Sequence, residues 1–347
     1  MQSNRRNLLK AIAAGAFLTL AAPVANAQEV TLRLHQFLPA QANVPTHILD
    51  VWANKIEADS NGRIEIQRFP AMQLGGTPPQ LIDQAIDGVA DIVWTLPGYT
   101  PGRFPRTEVF ELPFTMTTAE ATSRAYWQLG EETMLDQDFK DVKVLGLWVH
   151  GPGVIHSKDP IVSLSDLSGV TLRAPTRVTN MLFSELGATA VGMPVPAVPE
   201  ALSKGVISAT VIPWEVTGAL KVPELVSNHT EFGDAALYTA TFVFAMNRAR
   251  YEALPDDLKA VIDANSGLEF SAFAGRVMQE YDAPERAAAI ERGNNVITLS
   301  PEEVETWRAA AEATKTAWIA EMDSKGFDGL ALYERAQALI AENTVAN

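Results

Sequence analysis

Polar and apolar residues alternate from Val30 to Phe37, and Pro39 closes the run, which predicts a first strand. Ile48, Leu49, Trp52 and Ile56 then recur at helical spacing between Pro45 and Ser60, and Asn61-Gly62 stops that helix. Arg63 to Phe69 alternates strictly and reads as a half-buried strand, followed by the Gly-rich turn Gln73-Leu74-Gly75-Gly76. Leu81, Ile82, Ala85 and Ile86 share one face of a helix over Pro78–Asp87. Gly88 ends it, and Ala90–Trp94 is a buried strand. Strands separated by helices predict a parallel sheet with helices on its faces.

The rhythm then recurs. Strands are expected at Val142–Val149, Val170–Arg173, Thr189–Met193 and Ser208–Ile212, with Ser157–Ser168 mostly loop. Helices are expected at Val178–Leu186, closed by Gly187, and at Val198–Lys204, stopped by Gly205. Ala240–Asn247 reads as a strongly apolar strand. Asp256–Arg292 is mostly helical with Pro284 interrupting it, and Pro301–Ser324 and Gly329–Ala341 are the last helices. Two α/β units of matching rhythm predict two similar lobes. A chain of 347 residues is long enough for both.

Residues 1–27 read as an export signal. Arg5, Arg6 and Lys10 precede an apolar run from about Ala11 to Ala22, and Ala25-Asn26-Ala27 supplies a small-x-small cleavage site. Asn4-Arg5-Arg6-Asn7-Leu8-Leu9-Lys10 resembles a twin-arginine signal with Leu8 in place of the usual Phe, so Sec export stays open as well. That run is shorter than the roughly 20 residues needed to span a bilayer, and no second such stretch follows. The mature chain is expected to be periplasmic and not inserted in the membrane.

Composition narrows the chemistry. A net charge of −15 argues against binding to nucleic acid. The chain has no cysteine, which excludes disulfides, thiol nucleophiles and Cys-ligated metals. Its five histidines, His35, His47, His150, His156 and His229, form no HExxH or HxxxH pair, so no metal site is expected. No GxSxG elbow, P-loop or GxGxxG is present. An exported, acidic, two-lobed α/β chain without catalytic signatures points to a binding protein, with its ligand in the cleft between lobes.

A set of ordered strings carries a more specific resemblance. These are Gly62–Ile66 running into Gln73–Gly76, Ile86–Ile92, Glu111-Leu112-Pro113-Phe114, and Leu167-Ser168-Gly169-Val170-Thr171-Leu172-Arg173-Ala174-Pro175. Leu186-Gly187-Ala188, Ala201–Ile207 and Ala245–Arg248 before Leu254–Leu258 follow in order. Together they resemble the solute-binding proteins of tripartite ATP-independent periplasmic (TRAP) transporters, of the C4-dicarboxylate-binding type. That resemblance implies an α/β, two-lobed periplasmic binding protein fold with a ligand cleft and a long connecting helix. It implies a first lobe of residues 28–150 plus about 238–278, and a second of 151–237 plus about 279–347. The implied partners are a small organic acid and the membrane subunits of the permease. No cofactor and no catalysis are implied.

Arg173 matches the arginine that pairs with the ligand carboxylate in this family. A guanidinium suits that role because its planar fork meets both oxygens and stays charged. Trp214-Glu215 resembles a pair that members binding 2-oxo acids place near ligand and cation. Trp214 would then wall the pocket, and Glu215 would accept a ligand hydroxyl, an amine or an accompanying cation. Trp94, Thr95 and Tyr99 follow a strand expected to end at the cleft, and His35 and Gln36 end the first strand, so all five are ligand-binding candidates. His156 is expected to be structural. Ser208-Ala209-Thr210-Val211-Ile212-Pro213 lacks the family's Asn before the proline. Gly151–Ile155 lacks the second arginine of sialic-acid binders, which disfavours that ligand. One arginine favours a monocarboxylate, whether 2-oxo, hydroxy or aromatic, with a dicarboxylate or sulfonate still open. An exported hydrolase or lyase acting on acids, and a ligand-sensing partner of a membrane receptor, are the rival readings.

Overall fold

A computed structural model describes residues 28–345. The expected export signal at 1–27 lies outside the described residues. Strand β1 (Val30–His35) pairs in parallel with β2 (Ile64–Phe69) on one side and with β3 (Ile92–Thr95) on the other. The two connections are the helices Asp50–Asp59 and Leu81–Ile86, and each packs on the sheet through its expected apolar face. The first helix ends where Asn61 and Gly62 turn left-handed, at φ of 55° and 76°. Gly62 N–H caps it by donating to Glu57 O at 2.8 Å. Strand β4 (Val142–Val149) lies at the far edge of this sheet.

The second sheet holds β5 (Val154–Ser157), β6 (Thr171–Ala174), β7 (Thr189–Gly192), β8 (Ala209–Ile212) and β9 (Asn228–Glu231). Its run β7-β6-β8 is parallel and repeats the β2-β1-β3 arrangement of the first. The chain then returns to the first sheet as β10 (Thr241–Asn247), antiparallel to both β3 and β4, before β11 (Asn295–Thr298) completes the second beside β9. The result is two α/β lobes joined by residues 150–153, by residues 232–240 and by a helical segment.

That helical segment is not one rod. Asp256–Ala264, Leu268–Glu280 and Asp282–Glu291 are separate helices. The last break falls at Tyr281 because Pro284 has no N–H and its ring crowds the carbonyl of residue 280. Leu268–Glu280 packs on β4 of the first lobe, and Asp282–Glu291 packs on the Trp214–Val216 turn of the second.

The C-terminal packing differs from the expected division at about 279–347. Pro301–Ser324 lies against Arg177–Glu185 of the second lobe, but Gly329–Val345 packs on Ala119–Thr133 of the first. Ala336, Leu339 and Ile340 form an i, i+3, i+4 stripe that is buried in the first lobe's core. Among the described residues no helix is long and apolar enough to cross a membrane.

Candidate functional site: a cavity between the lobes

Arg173 stands near the end of β6 and is 1% exposed. Its Nε donates to Met193 O at 2.9 Å and its Nη1 to Val211 O at 3.1 Å. Nη2 is buried without a partner. Burial pulls the guanidinium pKa below its ordinary value, and the facing groups that hold it up are the phenols of Tyr99 and Tyr238. A buried cation whose remaining N–H groups have no acceptor is costly, and an anion removes that cost.

Arg173 lines a cavity of about 390 Å³ of atom-free space. Its stacked aromatic wall comes from the first lobe. Phe37 stacks on Trp94 at 4.6 Å and 17°, and Trp94 on Phe242 at 5.1 Å and 20°. Tyr99 meets Phe37 edge-on at 5.8 Å. The alternation of β3 and β10 delivers Trp94 and Phe242 to this wall. Two further polar groups lining it have no protein partner, the Trp94 Nε1–H and the Tyr238 hydroxyl. Arg173 is the one cation among the described lining residues.

His150 also lines the cavity and ties two crossing segments together. Its Nε2 accepts from Ala240 N–H at 3.0 Å, and its Nδ1 lies 2.5 Å from Gly151 O. Burial drops its pKa to about 4, so the ring is neutral at pH 7.

Glu215 reaches the wall from the turn after β8. Asn43 Nδ2, from the first lobe, donates to its Oε2 at 3.2 Å, and its own N–H donates to Asp282 Oδ1 at 2.9 Å. Burial, with Asp282 close by, pushes its carboxyl up to about 8. The same loss of solvent pushes Asp282 up to about 7. Among the described residues no group of three or more His, Asp or Glu side chains is placed to hold a metal ion.

Four expected positions lie elsewhere. Trp214 precedes Glu215 in a 3₁₀ turn, where successive side chains point about 120° apart. Glu215 faces the cavity, so Trp214 points away from it into the interior of the second lobe. Its Nε1 donates to Glu231 Oε1 at 2.7 Å, and its ring packs on His156 and His229. Thr95 follows Trp94 on β3 and points to the opposite face of the sheet, where its hydroxyl donates to Pro78 O at 3.3 Å. His35 holds the turn after β2. Its Nδ1 lies 2.7 Å from Gln84 Oε1, and its Nε2 accepts from Leu74 N–H at 3.3 Å. Gln36 folds back on Leu38, donating from Nε2 to Leu38 O at 2.8 Å. His156 is buried against His229 at 2.7 Å between the Nδ1 atoms, away from the cavity. The structure therefore brings together Arg173, Trp94, Tyr99 and Glu215, and adds Phe37, His150, Tyr238 and Phe242.

The family model for bacterial extracellular solute-binding proteins of family 7 (DctP) matches residues 36–321. The chain belongs to this family. This TRAP solute-binding protein is 51% identical to one from Rhodoferax ferrireducens T118, solved in complex with copurified benzoate. That match covers 91% of this chain and 99% of that one, with a TM-score of 0.90. It is 46% identical, over 91% and 99% of the two chains and with a TM-score of 0.89, to a marine metagenome TRAP solute-binding protein specific for aromatic acid ligands, solved with 3-hydroxybenzoate. Among curated proteins it is 28% identical to the outer membrane transporter protein TsaT of Comamonas testosteroni, over 94% of this chain and 97% of that one. The TRAP solute-binding protein is thus a periplasmic receptor that delivers a small organic acid to membrane permease subunits, and not a hydrolase or lyase.

Proposed function

We propose that the organic acid is an aromatic monocarboxylate of the benzoate class. The observation that carries this reading is the unpartnered Nη2 of Arg173 in a cavity walled by the parallel rings of Phe37, Trp94 and Phe242. The carboxylate accepts from Arg173 and from the free Tyr238 hydroxyl, and the ring lies in the flat aromatic wall. A charge-assisted hydrogen bond of this kind contributes roughly 1.5–3 kcal/mol. Aromatic stacking adds about 0.5–1.5 kcal/mol beyond the area buried. With no second cation among the described lining residues, a second carboxylate would be buried without a charge partner. This disfavours C4-dicarboxylates. The aromatic acids bound by the 51% and 46% identical receptors support the same class.

Capture works by closure. Bonds from one lobe to the other, such as Asn43 to Glu215, form only when the lobes meet. The ligand favours that state by as much as its affinity for the closed cavity exceeds its affinity for the open one. Titration calorimetry of the ligand-free protein tests the class. Benzoate and 3-hydroxybenzoate are expected to bind one to one, with succinate on the order of a hundredfold weaker or undetectable. Succinate binding as tightly as benzoate overturns the reading.

A further inference from the structure

A second groove, of about 670 Å³, lies between the lobes beside the Arg173 cavity. Pro79, Gly98 and Pro101 line it from the first lobe, and Thr176, Asn180 and Met193 from the second. It shares Tyr99 and Pro175 with the cavity and forms a vestibule beside it. Tyr99 stands between the two spaces, and its hydroxyl accepts from Val195 N–H of the other lobe at 2.9 Å.

Next to Tyr99 the lobes touch with no room to spare. A Cβ on Gly98 would lie 2.4 Å from Thr176 Cγ2 and 2.8 Å from Thr176 Cβ. Real side chains do not approach so closely. The backbone gives no reason for glycine here, because Gly98 sits in an ordinary 3₁₀ turn, Pro97–Tyr99, and is not among the glycines with positive φ. The glycine is needed for the approach of the other lobe.

Thr176 cannot turn its methyl aside without cost. It caps the helix Arg177–Glu185, its Oγ1 lying 3.0 Å from Thr179 Oγ1 while its backbone N–H donates to the same Thr179 oxygen at 2.9 Å. These contacts fix χ1 and with it the methyl that faces Gly98.

We infer that Gly98 is a positioning residue for solute retention: its bare backbone lets the first lobe seat on Thr176, and that seating brings Tyr99 to Val195 and shuts the cavity off from the vestibule. The inference rests on the reading that the Arg173 cavity holds the solute. It concerns how long the solute stays, and each lobe on its own has space for a methyl group at position 98.

The test is Gly98→Ala, read by stopped-flow tryptophan fluorescence with benzoate, since Trp94 lines the cavity. Benzoate dissociation is expected to speed up about tenfold or more, with Kd weakened in step, because an overpacked contact forfeits the closed state. The melting temperature of the ligand-free protein is expected to stay unchanged. Adding Thr176→Ser keeps the capping hydroxyl, removes the methyl and restores part of the slow dissociation. An unaltered off-rate in Gly98→Ala overturns the inference. So does a fall in ligand-free melting temperature, which would place the clash inside one lobe. Wild-type protein that binds no benzoate counts against the function reading; normal wild-type binding with an unaltered Gly98→Ala off-rate counts against this inference alone.

Discussion

The Nε of Arg173 donates to the Met193 carbonyl oxygen at 2.9 Å, and this bond sets the plane of the guanidinium. With Nη1 held by Val211 O, the side chain is anchored on two backbone carbonyls of its own lobe. One edge is thereby fixed, and Nη2 is left to an outside acceptor. A site built this way is organised before solute arrives, so little ordering cost falls on binding.

Tyr238 brings the second donor. Its hydroxyl is buried without a protein partner, and burial raises its pKa, so it stays a donor at any working pH. Tyr238→Phe is expected to weaken benzoate binding about tenfold to a hundredfold, as loss of a hydrogen bond to a charged group does. Ligand-free stability is expected to hold or rise, because an unsatisfied buried hydroxyl is removed. Calorimetry and thermal unfolding of the same variant check both halves. Wild-type affinity in Tyr238→Phe would take the hydroxyl out of the site.

Thr95 gives the opposite expectation. Its hydroxyl bonds Pro78 O on the face of β3 turned away from the cavity. Thr95→Val is expected to cost about 1 kcal/mol of stability and to leave affinity for aromatic acids unchanged. Denaturant unfolding and a benzoate titration separate the two. A tenfold loss of affinity would return Thr95 to the site.

Three buried carboxyls make stability depend on pH. Burial raises Glu111 to about 7, Glu215 to about 8 and Asp282 to about 7. The unfolded chain ionises these groups near pH 4, so the folded state holds extra protons above that pH, and stability falls as pH rises toward 8. Buried His150 and His229, each lowered to about 4, act the other way only below about pH 6.5. Between pH 6.5 and 8 the carboxyls therefore dominate, each contributing a slope of at most about 1.4 kcal/mol per pH unit. Glu215→Gln keeps an acceptor for Asn43 and is expected to make the decline shallower in that window. Denaturant unfolding of both proteins at pH 6.5 and pH 8 checks this, and parallel declines would contradict it.

Much of the fold was legible because burial on one face writes a period into the sequence. Ile64 and Ile66 of β2 alternate with more exposed residues for that reason, whereas Val142–Val149 of β4 is buried on both faces and reads as a nearly unbroken apolar run. Strands β5, β9 and β11 were not foreseen. His156, Asn228, His229 and Asn295 interrupt their apolar pattern, and these polar groups find partners only through tertiary contacts such as His156 with His229. The helix Ala119–Thr133 was also missed, although Thr118 caps it and a Trp, a Tyr and a Leu bury one face. In the site, Arg173 was readable from the string around it and Trp94 from its place at a strand end. His35, Gln36 and Thr95 shared that strand-end logic, but alternation and local hydrogen bonds turn them away. Phe37, Tyr238 and Phe242 carried no signal of their own, because an aromatic residue in an apolar run looks the same whether it walls a cavity or fills a core.

Calorimetric titration of Arg173→Lys with benzoate, beside the wild type, bears most directly on the central claim. Lysine keeps the charge but loses the planar fork that Met193 and Val211 hold in place. Truncating one side of a buried charge pair costs about 2–5 kcal/mol, and a loss of affinity near the lower end, roughly thirtyfold or more, is predicted here. Benzoate binding to Arg173→Lys within a factor of about two of wild type would contradict the account.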